Sequence, residues 1–413
     1  MGKMMGTVTA AAGWLCACLA VCTSADTLTW TGGGGASNVW SNPANWSSTG
    51  SHTTPQSGDD VVIGSFAASG TSVQDIAGLN LYGLSVTQSH AVTQTLQLAQ
   101  PLTVNDGVKT TIPVFNVTAG GLILDIGSAS FSWDTSDDTP TGPGGDLPVI
   151  IPGGMTVQLA GGALGTSSAQ NTLKIAAGGK LAGTGNVYGT TGNPSWGGYR
   201  GLVVEDGGMI EVGDGLLYID TGYQAQFFGA LQGTTANSSL QLGQNNRFWT
   251  FTGSDTTEIG GLSELRVSTK GSSFGRFGDP SQIDLAGTIV HVNAPSNPGA
   301  LQWEAQTTVD DLSAYKLGGI KVSGGFSTYA VTFQLVDTGS VDGDFVYAGT
   351  LDAVGSLHRI DLNGIALLTD MGETSLAAMI AGGNILNSGP GGSPMVKSVD
   401  MYGQTYWYVA PAD

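Results

Sequence analysis

Short runs of Val, Ile and Leu, broken by Gly, Asn and Asp, fill most of the chain from about residue 60 onward. Inside the runs apolar and polar residues alternate with a period of two, the spacing of a strand with one buried face. No stretch of useful length carries the 3.6-residue period of a helix; the best candidate, Thr374 to Ile380, is barely two turns. The pattern predicts an all-β chain of many short strands joined by tight turns.

A degenerate repeat runs through these strands. Its clearest units are a strand, a Gly-Gly turn and a second strand. They are Val114–Leu124, Val149–Val157, Leu173–Leu181 and Leu202–Val212, with weaker units at Ser72–Thr87, Leu96–Thr111, Ser239–Leu242 and Glu258–Val267. The first turn glycines of the clear units are Gly120, Gly153, Gly178 and Gly207, spaced by 33, 25 and 29 residues. One coil of a parallel β-helix takes roughly that length, with coils stacked about 4.8 Å apart. Aligned turns need φ > 0 at the same place in each coil, which glycine supplies without a steric penalty. The spacing predicts a right-handed parallel β-helix, a solenoid. Gly-Gly also suits antiparallel hairpins, and that is the competing reading.

The ends read differently from the middle. Trp30-Thr31-Gly32-Gly33-Gly34-Gly35, then Trp40, Asn45-Trp46-Ser47 and Gly58-Asp59-Asp60-Val61-Val62-Ile63, form a dense aromatic opening. A solenoid must cover its open end, so Trp30, Trp40 and Trp46 are expected to form a structural cap. After about residue 283 the Gly pairs thin out and strands lengthen. The expected organisation is residues 1–25 as a signal peptide, 26–66 as the cap and first strand, 67–282 as the parallel β-helix, and 283–413 as a C-terminal β cap or small β-sandwich.

Composition narrows the compartment. Lys3 precedes an apolar core at Ala10–Val21, too short for a membrane span, and Thr23-Ser24-Ala25 offers a small-residue cleavage site before Asp26. A lipoprotein reading, with Leu19-Ala20-Val21-Cys22 as an acylation box, competes, although Val before the Cys is unusual there. All three cysteines (Cys16, Cys18, Cys22) lie in this leader, so a mature chain from Asp26 has neither disulfide nor thiolate chemistry. Net charge is −19, and −20 once Lys3 is removed, a balance that repels nucleic acid and anionic lipid. These features predict an extracellular or cell-surface location, with the periplasm as an alternative, and no transmembrane segment in the mature chain.

The opening residues, the segment Phe333-Gln334-Leu335-Val336 followed by Gly343-Asp344-Phe345, and the Gly-Gly units together resemble bacterial secreted proteins with autotransporter-type passenger β-helices, which carry autotransporter-associated β-strand repeats. The likeness covers most of the mature chain. It implies the passenger fold. It does not extend to the self-translocation mechanism, because no stretch reads as a translocator barrel of about a dozen alternating strands.

Candidate chemistry is sparse. His52, His90, His291 and His358 show no zinc-ligand spacing. Asp134, Asp137 and Asp138, with Asp146, could take calcium, as could Asp337, Asp342 and Asp344; neither cluster fits the EF-hand or the repeated nonapeptide pattern, and solvated turn aspartates are the plainer reading of the first. No Gly-x-Ser-x-Gly elbow occurs. Glu205, Asp206, Glu211 and Asp220 are candidates for a glycosidase pair. Arg247, beside Phe248 and Trp249, is the best basic residue for a lyase, in a chain poor in arginine. Tyr188, Trp196, Tyr199 and Arg200 fall in one Gly-rich loop and are the expected glycan-binding group; Tyr218, Tyr223, Phe227 and Phe228 follow closely. The alternative is that these rings only pack the loop onto the strands.

The resulting expectation is a secreted or cell-surface structural or adhesive β-solenoid without catalytic activity and without a cofactor, meeting glycans or other envelope or matrix proteins. The alternative is an extracellular polysaccharide-binding or polysaccharide-degrading β-helix protein.

Overall fold

The computed structural model describes residues 25–105, 113–133, 149–165, 173–188, 201–220, 224–243, 248–251, 259–268, 271–277, 283–294, 299–305, 307–308, 310–312, 315–324, 330–337, 345–353, 355 and 357–412. The expected leader, with its three cysteines, lies outside them up to residue 24.

The chain is nearly all β, with long parallel sheets. One sheet holds ten strands: Val149–Ile151, Leu173–Ile175, Gly201–Val204, Gln224–Phe227, Phe248–Phe251, Gly271–Phe277, Gly299–Glu304, Val331–Val336, His358–Asp361 and Ile385–Leu386. Each pairs parallel with the next. The chain returns between successive members through strands of a second, longer sheet. These include Met155–Leu164, Lys180–Tyr188, Met209–Asp220, Glu264–Ser268, Ile289–Ala294, Leu317–Gly324 and Phe345–Ala353, and they too stack parallel. Parallel neighbours need a crossover connection; here the crossover contains a strand of the facing sheet rather than a helix.

Register explains why the alternation was so legible. Ile151, Ile175, Val204 and Phe227 follow one another across the ten-stranded sheet, all buried. Leu240, Leu265, Val290 and Ile320 do the same across the longer one. Fully burying each such side chain is worth about 1.5–3 kcal/mol, and a one-residue slip would turn a whole strand inside out. Most buried apolar side chains of both sheets join in one core reaching from Leu28 to Val409, and Phe345, Tyr347 and Leu368 form a second, smaller cluster.

The turn glycines stack as expected, with one correction. The left-handed residues are Gly120, Gly154, Gly178 and Gly207, so Gly154 and not Gly153 occupies the φ > 0 position. Gly154 N–H donates to Gly178 O at 3.0 Å, and Gly178 N–H to Gly207 O at 2.7 Å. The turns are thus tied to each other along the stack.

Neither expected internal boundary breaks the pairing. Thr27–Trp30, inside the expected cap, already pairs parallel with Asp60–Ile63, and that strand with Gly83–Gln88. Beyond residue 283, Ile289–Ala294 pairs parallel with Glu264–Ser268, and the succession continues to Ala366–Thr369. Among the described residues beyond 283 the antiparallel pairings are a Thr307–Phe345 bridge and, at the end, Pro394–Met401 with Gln404–Pro411, a hairpin whose second strand pairs antiparallel with Ala366–Thr369. At the other end Trp46–Ser48 runs antiparallel along Thr27–Trp30. The weak helical pattern near residue 374 is the α-helix Glu373–Ala381, which sets Leu376 into the core. Among the described residues no helix is long and apolar enough to cross a membrane.

Candidate functional site

The three N-terminal tryptophans interlock. Trp46 meets Trp30 edge to face at 5.0 Å between ring centroids and Trp40 at 5.4 Å. Its indole N–H donates to Trp40 O at 2.8 Å, and all three rings are buried. Asn45, fully buried, donates its amide to Ser37 O and Val39 O and accepts from Gly34 N–H, which pins the glycine loop. A cleft of about 380 Å³ lies alongside, lined by Trp30, Thr31, Asn38, Asn45, Ser65 and Phe66 among others.

Of the expected glycan-binding group, Tyr188 is described and half-buried; Trp196, Tyr199 and Arg200 lie outside the described residues. Tyr188 meets Tyr218 edge to face at 6.2 Å, and the Tyr218 hydroxyl donates to Asp220 Oδ2 at 3.0 Å. Phe227 is a core residue rather than a surface ring. Burial first, and the Asp220 carboxylate second, push the Tyr218 phenol well above the usual tyrosine range. Spectrophotometric titration to pH 11 should therefore give the same count of ionised tyrosines for the wild type and Tyr218→Phe; a loss of one ionising group in the variant would contradict it.

The expected calcium ligands Asp134, Asp137 and Asp138 lie outside the described residues, as do Asp146, Asp342, Asp344 and Arg247. Three of the glycosidase candidates have neighbouring partners. Glu205 is bridged to Lys174 at 2.5 Å, Glu211 to Lys180 at 2.9 Å, and Asp220 accepts from Tyr218. Both lysine pairs are partly exposed and worth about 0–1 kcal/mol.

Two histidines that looked isolated in the sequence have carboxylate partners. His52 Nδ1 lies 2.9 and 3.0 Å from the two oxygens of Asp59, and 3.4 Å from Asp26 Oδ2. This trio is a group whose ligand atoms could meet on a metal ion. Its hydrogen bonds already engage most of those atoms. Asp59 accepts from Asp26 N–H and Gln56 N–H, and Asp26 from His52 N–H. The hydrogen bond from the His52 backbone chiefly holds the Asp26 carboxyl below its usual range. The trio reads first as a tie between the start of the described chain and the 52–59 loop.

The second is His291, on Ile289–Ala294. Its Nδ1 lies 2.5 Å from Glu264 Oε1 and its Nε2 lies 2.6 Å from Ser323 Oγ. The three residues sit on adjacent parallel strands, Glu264–Ser268, Ile289–Ala294 and Leu317–Gly324. Val290, Val292 and Val322 on the same strands enter the core, so strand alternation turns His291 and Ser323 to the opposite face. His291 is nonetheless only 6% exposed. Arg266 Nη2 donates to Glu264 Oε2 at 2.7 Å, so both carboxylate oxygens are engaged. The His291 hydrogen bond first, and the Arg266 pair after it, lower the Glu264 carboxyl to about 2. Because the folded value lies below the ordinary 4.5, the stability Glu264 contributes is complete above about pH 4.5 and lost as pH falls through about 2. The drop in urea midpoint between pH 5 and pH 2 should be smaller in Glu264→Gln; an equal drop would show the carboxylate to be thermodynamically idle.

An ionised carboxylate, an imidazole and a hydroxyl in hydrogen-bonded sequence can move a proton from the hydroxyl to the imidazole. No local motif marks this group. Its separations of 27 and 32 residues match the spacing of successive parallel strands, and they carry meaning only once register is known. Comparison with models of protein families, with curated proteins and with solved structures finds no match.

Proposed function

We propose that the chain is an exported structural or adhesive protein of the cell surface or extracellular matrix, built as a right-handed parallel β-helix of the passenger type. One observation carries this reading: the parallel succession from Thr27 to Leu386 packs largely into one continuous core, with antiparallel strands at both ends. Such an arrangement is a scaffold extended in chain order, with unpaired strand edges covered where the stack stops. In this reading Trp30, Trp40 and Trp46 are the N-terminal cap, and envelope or matrix proteins are the partners. The acidic balance disfavours nucleic acid. A crystal structure with an antiparallel sandwich over residues 110–215 would overturn the solenoid.

Export with cleavage before Asp26 belongs to the same reading. The Asp26 backbone nitrogen lies 3.3 Å from Asp59 Oδ1, beside two buried carboxylates and one histidine. Cleavage there would turn that nitrogen into an ammonium with counter-charges already in place. N-terminal sequencing of the secreted protein should begin at Asp26; an acylated Cys22 at the mature start would exclude it.

A second reading, polysaccharide binding or degradation, is favoured by the half-buried Tyr188, which precedes Trp196, Tyr199 and Arg200 in the chain. A glycan array run with the wild type, Tyr188→Ala and Trp196→Ala separates the two. Binding lost in either variant supports the glycan reading; no binding by any of the three supports the structural one.

A further inference from the structure

We propose that Ser323, His291 and Glu264 form a serine-hydrolase site on the outer face of the longer sheet, acting on carboxylic esters carried by an extended polymer. This adds an activity to the scaffold and does not depend on its adhesive role.

The geometry supports each assignment separately. Glu264, held ionised by Arg266 and His291, can only accept a hydrogen bond. It therefore draws the imidazole proton to Nδ1, which leaves Nε2 with its lone pair facing Ser323 Oγ at 2.6 Å. That is the tautomer a general base needs, and the hydroxyl is within reach of it. Burial of His291 keeps water from competing for Nε2. Ser323 itself is half-buried, so a substrate can approach its oxygen. Lys321 stands in register with His291, and Asn293 with Ser323, on the same face. They are the neighbouring donors for the charge that develops on a carbonyl oxygen. The site lies on a sheet surface flanked by the cations Lys321 and Arg266, a setting that suits a polar polymer lying across the strands.

The chemistry balances without a cofactor. Ser323 Oγ attacks the ester carbonyl carbon while its proton passes to His291 Nε2. The bond from that carbon to the alcohol oxygen breaks, and the alcohol leaves with the proton from Nε2. Water then adds to the acyl-Ser323, its proton goes to Nε2, and collapse releases the carboxylic acid and restores the hydroxyl. Ser323 and His291 are the catalytic residues; Glu264 is a positioning residue.

The test uses the mature chain, a fluorophosphonate probe read by peptide mass spectrometry, and p-nitrophenyl acetate as the ester. The wild type should be labelled at Ser323 and hydrolyse the ester. Ser323→Ala and His291→Gln should lose labelling and at least about a hundredfold of kcat/KM, with the far-ultraviolet circular dichroism unchanged. Glu264→Gln should lower kcat with KM unchanged, which a merely structural bond would not do. No labelling of the wild type, labelling at another residue, or turnover retained in Ser323→Ala overturns the proposal. If a variant fails to fold, labelling of the wild type with its site mapped decides alone.

Discussion

Trp46→Ala is expected to destabilise the N-terminal third of the protein by about 3–5 kcal/mol, the usual cost of deleting a large buried aromatic. Trp46 is the middle ring of the three and touches both of the others, and its indole N–H is bonded to Trp40 O. Its removal therefore leaves two rings without their packing partner and one buried carbonyl without its donor. Trp46–Ser48 is also the antiparallel strand along Thr27–Trp30, so loosening it opens the edge on which the parallel stack begins. In a stack of coils each unit leans on its neighbours, and damage at an end should stay near that end. Limited proteolysis should accordingly cut first between residues 60 and 90, with a lowered melting temperature. A sugar-binding role for these rings predicts unchanged unfolding with lost affinity. If Trp46→Ala leaves unfolding and proteolysis untouched, the cap reading fails and the adjoining cleft becomes the better binding candidate.

Gly183→Ala should cost a comparable amount, about 2–6 kcal/mol, from two causes that act together. Gly183 has φ +105°, where an L side chain is strained. A Cβ there would also lie 1.9 Å from Leu159 O, a backbone atom of the neighbouring strand that cannot step aside without breaking the ladder. The register shifts between Gly183 and Gly185, a bulge at which the long strand Lys180–Tyr188 bends. Gly78→Ala is the matched control: its φ is +69°, but nothing lies within 4 Å of the added Cβ. The control should cost about 1 kcal/mol from backbone strain alone. Urea unfolding followed by circular dichroism should separate the two by more than the error of the method; equal midpoints would mean that the paired strands can shift apart at this bulge.

The all-β class, the short strands and the tryptophan-rich opening could be read directly from the chain, because period-two burial and tight turns are local properties. Gly120, Gly178 and Gly207 were legible as turn residues for the same reason. Either glycine of the 153–154 pair satisfies the pattern, and only the neighbouring turn selects Gly154. The boundary expected at residue 283 followed a change in glycine content. Pairing is indifferent to that change, since Ile289–Ala294 offers the same alternating face as the strand before it. The acid candidates Glu205 and Glu211 are close in sequence, yet Glu205 lies just after the strand Gly201–Val204, Glu211 lies within Met209–Asp220, and each is paired with its own lysine.

The sequence by itself determined the β class and the faces that must be buried, since each depends on residues within a few positions of one another. The tertiary structure alone decided which outward-facing residues meet. Ser323, His291 and Glu264 are separated by 32 and 27 residues and share no local motif; they touch because adjacent parallel strands pair in one register. That register is set by the apolar columns on the other side of the same strands, Leu265, Val290 and Ile320 among them. The burial that holds the fold together is therefore also what aligned a carboxylate, an imidazole and a hydroxyl on its surface.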